Sequence, residues 1–394
     1  MTSTHAAMRR QEIAALGFHY YNVIMEEAAQ LTEVENFIPL ALQEPTISKD
    51  GKLVEQNLKR VVLVGDHLQN SPIVQNAAFK SYANLEQSLF LRLVRLGVPL
   101  TMLDAQGRAR PSLASLYRWR YPQLTNLPIT STDPAFQRAN AGLRYDYQFI
   151  DVPDYKDQGE TEPSPHFIQN LGEAEYAVAL YQYMRLLGYP AAKISILASY
   201  AGQKALIRDV ITHRCKGNRL FGMPGWVGTV DKYQGEQNDY VILSLTRTKT
   251  AGYLRDLRRL TVALSRARFG LYVFGRREVF ESNLELRQAF EALFARSNTL
   301  ALVPGEMFPA TRAVEDDVEA TEMHGVEHLG QYVFEMTKAK VEDMKRGGQS
   351  LPAAEQEVQG RVEGEDEEEE DAGPAEDLVV DGEGEVEMGD AGVM

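Results

Sequence analysis

Short runs of consecutive apolar residues alternate along the chain with stretches of helical periodicity. Runs typical of buried strands lie at 21–25 (YNVIM), 61–64 (VVLV), 194–198 (ISILA), 240–245 (YVILSL) and 271–274 (LYVF). Helical patterns lie at 85–97, 173–188 and 201–215, and the first and second of them end in glycine. This alternation predicts an α/β fold with a mostly parallel sheet and helices on its faces.

The pattern changes at three places along the chain. A domain change is expected near 105–125, and the stretch 126–172, rich in Pro, Asn, Asp and Gly, is expected to run over the surface. One or two strands such as YDYQFIDV are expected within it. Apolar periodicity weakens after about 300. From about 345 the chain is predicted to be a disordered tail, because acidic residues leave too little apolar surface to fold.

The net charge of −15 is concentrated in this tail. Residues 351–394 contain 17 acidic residues and one basic residue, whereas residues 1–350 contain 39 acidic and 40 basic residues. The acidic balance therefore does not exclude a nucleic-acid partner for the folded part. The single cysteine, Cys215, excludes a disulfide within the chain, and no apolar run approaches the roughly 20 residues of a membrane span.

Two strand-like runs end in polar residues. Glu26 and Glu27 follow the first run, and Gly65, Asp66 and Gln69 follow the second. Ligands of open α/β sheets bind outside the carboxyl ends of the strands, so these groups are candidates for one site. An ordinary strand–turn explains the second stretch equally well when it is considered alone. The two stretches together favour a site.

Two pairs of arginines are candidates for binding phosphate. Arg108 and Arg110 precede Pro111, and guanidinium groups bind phosphate oxygens in pairs. Arg266 and Arg268 follow a helical stretch beside a strand, where an arginine can stabilise charge in phosphoryl transfer. A solvated surface pair and a cation-rich helix end are the respective alternatives. Both alternatives stay open on these motifs alone.

A fifth stretch, VGTVDKYQGEQNDYVILSLTRT at 227–248, places a Gln-Gly turn at 234–235 before a buried strand. The polar residues Ser244, Thr246 and Arg247 cluster near the end of that strand. A βα turn or hairpin without a ligand is the alternative.

Taken in chain order, these stretches resemble the later motifs of superfamily 1 helicases of the RNA-acting branch. The sequence EEAA from Glu26 resembles motif II, and GDHLQ from Gly65 resembles motif III. QGRARP from Gln106 resembles the Gln-Tyr-Arg-Met-His-Pro motif. VDKYQG from Val230 resembles motif V, and VALSRAR from Val262 resembles motif VI. The resemblance implies two RecA-like parallel-sheet domains, the first truncated at its N-terminus. The expected boundaries are 1–110 and 111–300 for these domains, 301–345 for an extension and 346–394 for the disordered tail.

The resemblance also implies roles for individual residues. Glu27 would polarise the attacking water, Glu26 would hold Mg²⁺ through water, Gln69 would sense the γ-phosphate, and Arg108 and Arg266 would reach the phosphates. Further ATP contacts are expected from Gly65, Asp66, Gly235, Gln237 and Arg268. RNA contacts are expected from Thr4, His5, Ser244, Thr246 and Arg247.

The chain departs from the family pattern at three positions. Glu26 replaces the usual Asp, Gln237 replaces a usual Glu, and Asn70 begins a stretch that usually reads Leu-Pro-Pro. The sequence also contains no Gly-x-x-x-x-Gly-Lys-Ser/Thr phosphate loop. That loop precedes motif II in the family, so we expect a fragment of a longer protein or an incomplete gene model, with Met1 an internal methionine. A protein that lost the loop is the alternative.

The resulting expectation is the C-terminal part of an ATP-dependent RNA helicase of pre-mRNA splicing that is inactive as an ATPase when alone. ATP and Mg²⁺ are the implied cofactors, and RNA (intron or pre-mRNA) and spliceosomal proteins are the implied partners. The implied location is the nucleus, with no membrane association. Two alternatives remain: a non-enzymatic RecA-like scaffold, and a related superfamily 1 helicase of DNA or of RNA decay.

Overall fold

The computed structural model describes residues 2–43, 46–55, 57–74 and 76–346. The strands are β1 Asn22–Met25, β2 Thr46–Ile47, β3 Leu53–Glu55, β4 Arg60–Leu63, β5 Ala105–Gln106, β6 Thr125–Asn126, β7 Tyr147–Asp151, β8 Glu160–Ser164, β9 Phe167–Asn170, β10 Ile194–Ala198, β11 Trp226–Thr229, β12 Asn238–Ser244, β13 Ala267–Gly275, β14 Leu300–Leu302 and β15 Thr321–Met323. The helices are α1 Ser3–Met8, α2 Arg10–Ala15, α3 Glu33–Ala41, α4 Ala77–Ala83, α5 Leu89–Arg95, α6 Pro111–Ser115, α7 Ile129–Thr132, α8 Pro134–Gln137, α9 Leu171–Leu186, α10 Ala201–Cys215, α11 Leu257–Leu264, α12 Arg277–Glu281, α13 Arg287–Phe294 and α14 Val326–Arg346.

A five-stranded sheet in the order β11-β10-β12-β13-β7 forms the centre of the fold, and all its neighbouring strands are parallel. Successive side chains of a strand point to opposite faces. Ile242 and Phe274 therefore join a core with α9, α10 and α14, whereas Leu243 and Val273 join a second core with α6, α11 and α13. Helices on both faces of a parallel sheet confirm the predicted α/β, RecA-like architecture.

The prediction that residues 126–172 run over the surface is wrong for the central part of this stretch. Strand β7 pairs with β13 at one edge of the sheet, and Leu143, Phe149 and Ile150 are buried. Some of the polar residues that suggested a loop are buried and hydrogen-bonded inside the fold. Asn140, for example, is buried and donates from Nδ2 to the carbonyl oxygen of Phe269 over 3.0 Å.

The segment after residue 300, where the apolar pattern weakens, also folds onto the sheet unit. Strands β14 and β15 form an antiparallel pair, and α14 packs against α9 with Leu329 and Val333 buried. This cover explains why α9 is buried nearly all round. The predicted tail from 347 onward lies outside the described residues.

Strands β1 and β4 form a separate parallel pair, with Asn22 opposite Arg60 and Met25 opposite Leu63. Both strands were predicted, but their predicted burial is wrong. Ile24 is 70% exposed and Val62 is 47% exposed. Among the described residues, no third strand pairs with either one, so the sheet is too narrow to bury its apolar side chains.

Hydropathy gives one further result. No helix in the described ranges combines the length and the apolar character needed to cross a membrane.

Candidate functional site

The turn after β1 carries the two adjacent glutamates. Glu26 and Glu27 are exposed, and Glu27 adopts the left-handed backbone region with φ 50°. The Oε2 atom of Glu27 accepts hydrogen bonds from Gln30 at 2.9 Å and from Gln234 at 3.4 Å. The bond from Gln234 connects the turn after β1 to the loop before β12.

The turn after β4 lies against the turn after β1. A Cβ at Gly65 would lie 2.9 Å from the backbone nitrogen of Ala29, so a larger residue would separate the two turns. Asp66 then accepts hydrogen bonds at Oδ2 from Gln69 at 2.8 Å and from the hydroxyl of Tyr121 at 2.6 Å. Burial and the Asp66 carboxylate raise the pKa of Tyr121 well above its ordinary value, so this hydroxyl stays a hydrogen-bond donor.

Arg266 reaches this turn from the other side. Its Nη2 donates to Gln69 Oε1 over 3.2 Å, while Nε donates to the Val262 carbonyl at 3.0 Å and Nη1 to the Glu236 carbonyl at 3.3 Å. The side chain is almost fully buried. Burial lowers the pKa of Arg266 to about 10, and the neighbouring Arg108 lowers it as well.

Arg108 approaches from a loop that is held by its own glutamine. Gln106 Oε1 accepts from the backbone amides of Arg108 at 3.0 Å and Ala109 at 2.9 Å, and its Nε2 donates to Asn126 at 2.7 Å. Arg108 is half-buried and lies close enough to affect the pKa of Arg266 and of Tyr117. Two arginines that face each other in a cleft repel, and a bound anion relieves that repulsion.

These four residues, Glu27, Gln69, Arg108 and Arg266, therefore converge at one cleft between the β1–β4 pair and the amino ends of β12 and β13. Glu27 is coupled electrostatically to Arg266, which also contacts Gln69 directly. The arrangement offers an exposed carboxylate opposite two guanidinium groups. Such a cleft has the chemistry to hold a polyphosphate and a water molecule.

The other residues expected to contact the nucleotide lie in different surroundings. Gly235 has φ 84° and faces Glu27, because a Cβ there would lie 3.7 Å from Glu27 Oε1. Gln237 is exposed two residues further on. Arg268 instead pairs with Asp239 at 2.6 Å and lies over the ring of Phe269.

Arg110 is not available to phosphate, contrary to the interpretation of Arg108 and Arg110 as a phosphate-binding pair. Its side chain is buried and donates to backbone carbonyls, including that of Phe136 at 3.0 Å. The local sequence could not reveal these acceptors, because they come from distant segments.

The three residues expected to contact RNA lie at the carboxyl end of β12, opposite the cleft, and all three are buried. Ser244 and Thr246 are fully buried, and Glu173 Oε2 accepts from the Ser244 hydroxyl at 2.6 Å and from the Thr246 amide at 2.8 Å. Arg247 pairs with Glu160 at 3.3 Å. The expected surface cluster is thus a buried network, and its RNA contact stays a prediction that requires this network to open.

The N-terminal RNA candidates lie on α1. His5 is exposed, and its backbone amide donates to Thr2 Oγ1 at 3.1 Å. The side chain of Thr4 lies outside the part of the structure that is described. The RNA contacts of both residues stay predictions.

Sequence reasoning missed three members of the cleft. Tyr121 binds Asp66, Gln234 binds Glu27, and Asn70 donates from Nδ2 to Asp231 at 3.2 Å. Gln234 and Asn70 lie within or directly after recognised motifs, so their position next to a motif could have identified them as members of the site. Tyr121, 55 residues from Asp66, offered no such signal.

Comparison with known proteins identifies the family of the chain. A family model described as an AAA domain matches residues 85–278. The chain is 57% identical over 312 residues to the RNA helicase aquarius of Mus musculus, across 79% of this chain and 21% of that protein. The chain contains an Aquarius-like superfamily 1 helicase region.

Two further relatives match the chain at lower identity. Pre-mRNA-splicing factor cwf11 of Schizosaccharomyces pombe is 33% identical over 342 residues, across 86% of this chain and 26% of that protein. A Regulator of nonsense transcripts 1 homolog of Arabidopsis thaliana is 30% identical over 269 residues, across 66% and 20%. The chain therefore spans only a fifth to a quarter of the length of these relatives.

Proposed function

We propose that this chain is the C-terminal helicase portion of an ATP-dependent RNA helicase that acts in pre-mRNA splicing. The observation that carries the proposal is the convergence of Glu27, Gln69, Arg108 and Arg266 on one cleft between two parallel sheets. The proposed boundaries are 1–110 and 111–300 for the two RecA-like units, with 301–345 as an extension and 346–394 as a tail.

In the proposed site, Glu27 orients and polarises the attacking water, because its carboxylate is exposed at the cleft. Gln69 senses the terminal phosphate through the same amide that contacts Arg266. Arg108 and Arg266 bind the phosphate oxygens and stabilise the charge that develops during phosphoryl transfer. Arg266 is buried in this structure, so it reaches a phosphate oxygen by exchanging its hydrogen bond to Gln69. Gly65, Asp66 and Gly235 shape the cleft, while Gln237 and Arg268 contact the nucleotide from its edge.

Mg²⁺ is proposed to bind through water to Glu26. No group of three or more His, Cys, Asp or Glu that could hold a metal occurs among the described residues. Mg²⁺ characteristically keeps several waters and binds through one or two carboxylates plus substrate phosphates, so one exposed glutamate at the turn fits it. Bound Mg²⁺ would neutralise charge on the phosphates.

The splicing role and the nuclear location are supported by the names of the relatives. Identity is 57% to RNA helicase aquarius and 33% to a pre-mRNA-splicing factor, compared with 30% to a regulator of nonsense transcripts. Intron-containing pre-mRNA is therefore the proposed RNA, and spliceosomal proteins are the proposed partners. The alternative of a helicase of RNA decay is less favoured by these identities.

The chain alone is proposed to be inactive as an ATPase. Its 394 residues contain no Gly-x-x-x-x-Gly-Lys-Ser/Thr loop, whose backbone amides would hold the β- and γ-phosphates. The test is ATP turnover with and without single-stranded RNA, measured on the chain and on the full-length protein that contains it.

We expect RNA-stimulated turnover in the full-length protein only, with loss of turnover in Glu27→Gln. The matched control is Glu281→Gln, which changes an exposed glutamate paired with Arg277. Turnover by the isolated chain that is sensitive to Glu27→Gln would overturn the proposed inactivity. Absence of turnover in a folded, RNA-binding full-length protein would instead favour the scaffold.

A further inference from the structure

Arg110 forms an extensive buried hydrogen-bond network beside the cleft. Its Nε donates to the carbonyl oxygen of Phe136 at 3.0 Å, and its Nη1 donates to Asn140 Oδ1 at 2.9 Å and to the Phe269 carbonyl at 2.6 Å. Its Nη2 donates to the carbonyl oxygens of Ala135 and Arg138. One buried guanidinium thus connects the 106–110 loop with residues 135–140 and with β13.

The backbone of Arg110 makes the same connection. Its amide donates to the carbonyl oxygen of Arg268 at 3.0 Å. Arg108 lies two residues before Arg110, and Arg266 lies two residues before Arg268. The two cleft arginines therefore lie on segments that are joined through Arg110, and each arginine precedes the joined position by two residues.

These contacts require an arginine. A guanidinium presents five N–H donors in a fixed fork, whereas a lysine ammonium presents three donors on one atom. A lysine at position 110 could not reach Phe136, Asn140 and Phe269 together. Buried carbonyl oxygens left without donors would be costly, and the loop would be expected to shift.

We infer that Arg110 is a positioning residue that fixes the distance between Arg108 and Arg266 and so sets the affinity of the cleft for a polyphosphate. The polyphosphate part of this inference rests on the proposed function. The geometric part, that Arg110 holds the loop against β13, stands independently of any ligand. The two parts are therefore tested by different measurements.

The geometric part is tested by amide hydrogen exchange of the folded chain and its Arg110→Lys variant. We expect exchange in residues 104–110 to accelerate about tenfold or more, because the loop opens locally, while exchange in β10 stays unchanged. The control is Arg185→Lys, since Arg185 is also buried and donates to the carbonyls of Phe221 and Tyr189. Unchanged exchange in 104–110 would overturn the inference.

If Arg110→Lys does not fold, Asn140→Ala removes one acceptor of Arg110 and leaves the arginine in place. A milder acceleration, about threefold, is expected in the same loop. Equal acceleration throughout the chain would mean general destabilisation and would overturn the positioning role.

The affinity part is tested by calorimetric titration of the chain with tripolyphosphate at low salt. We expect Arg110→Lys to bind about tenfold more weakly, since charge-assisted contacts of Arg108 are lost. In the Arg108→Ala background the same substitution should have no further effect. Equal losses in both backgrounds would show that Arg110 does not act through Arg108. A wild-type chain that does not bind tripolyphosphate would contradict the proposed phosphate cleft, while hydrogen exchange would still decide the geometric part.

Discussion

Arg266 donates a hydrogen bond from Nη2 to Gln69 Oε1 over 3.2 Å, although the two residues lie 197 positions apart in the chain. Gln69 follows β4 and Arg266 precedes β13, so the bond joins the ends of strands from two different sheets. Asp66 holds the other end of the Gln69 amide at 2.8 Å. The glutamine is thereby oriented with its oxygen toward the arginine.

Replacing Arg266 by alanine is expected to remove most of the ATP turnover of the full-length protein. An arginine that stabilises the transition state of phosphoryl transfer is worth roughly 10³–10⁵ in rate. The measurement is kcat for RNA-stimulated hydrolysis by Arg266→Ala. Arg277→Ala is the control, because Arg277 pairs with Glu281 on the surface of α12. A kcat within about threefold of the wild-type value would contradict the role of Arg266.

Replacing Glu27 by glutamine is expected to separate nucleotide binding from hydrolysis. The amide cannot accept a proton, so kcat should fall by roughly 10²–10⁴, the range typical of a lost general base. Affinity for a non-hydrolysable ATP analogue should change little, since the side chain keeps its size. Parallel loss of affinity and turnover would assign Glu27 to binding instead of catalysis.

Glu173 is expected to make folding stability depend on pH. Burial raises the pKa of its carboxyl group to about 8, although the Ser244 hydroxyl and the Thr246 amide favour the charged form. The folded state therefore holds a proton that the unfolded chain releases near its ordinary pKa. The contribution to stability is complete at acidic pH and is lost as the pH rises from about 5 through about 8.

The measurement for Glu173 is the free energy of unfolding of the chain between pH 5 and pH 9. Wild-type stability should decline over this interval, and Glu173→Gln should show a flatter profile because position 173 no longer titrates. Comparing the slopes of the two pH profiles separates the titration of Glu173 from the loss of stability that the substitution causes at every pH. Identical slopes in the two proteins would show that Glu173 does not carry the pH dependence.

Helix α14 allows a test of whether the segment after residue 300 stabilises the fold. Leu329 is fully buried against the sheet unit, whereas Phe334 on the same helix is 64% exposed. Leu329→Ala should lower the free energy of unfolding by about 2–5 kcal/mol, the usual cost of deleting a buried leucine side chain. Phe334→Ala should change it by no more than about 0.5 kcal/mol. Denaturant titration of both variants gives the comparison.

Strands β10, β12 and β13 of the central sheet could be predicted because they are buried on both faces and are therefore almost continuously apolar. Ile242 and Leu243 are both inaccessible, although they point to opposite sides. The same type of run at 21–25 gave a strand in which only Met25 is buried, since local sequence does not show what covers a sheet. Ile24 is consequently exposed despite its apolar neighbours.

The candidate site was predictable to the extent that its residues lie in recognisable motifs. The resemblance of these motifs to those of superfamily 1 helicases implied that Glu27 and Arg266 act at one site, and the structure brings them together. The buried state of Arg110 and Ser244 could not be predicted, because their partners, Phe269 and Glu173, are distant in sequence. Hydrogen-bonding capacity is visible in a sequence, but the identity of a non-local acceptor is not.

Strand β13 begins immediately after Arg266 and ends immediately before Arg276, which donates to the carbonyl oxygen of Val152 at 3.1 Å. It pairs with β12 from Ala267 to Phe274 on one side and with β7 from Leu271 to Gly275 on the other. The strand cannot slide without breaking both ladders, because a change of register would expose its buried side chains. A backbone movement that carries Arg266 away from Gln69 therefore displaces the five-stranded sheet relative to the β1–β4 pair.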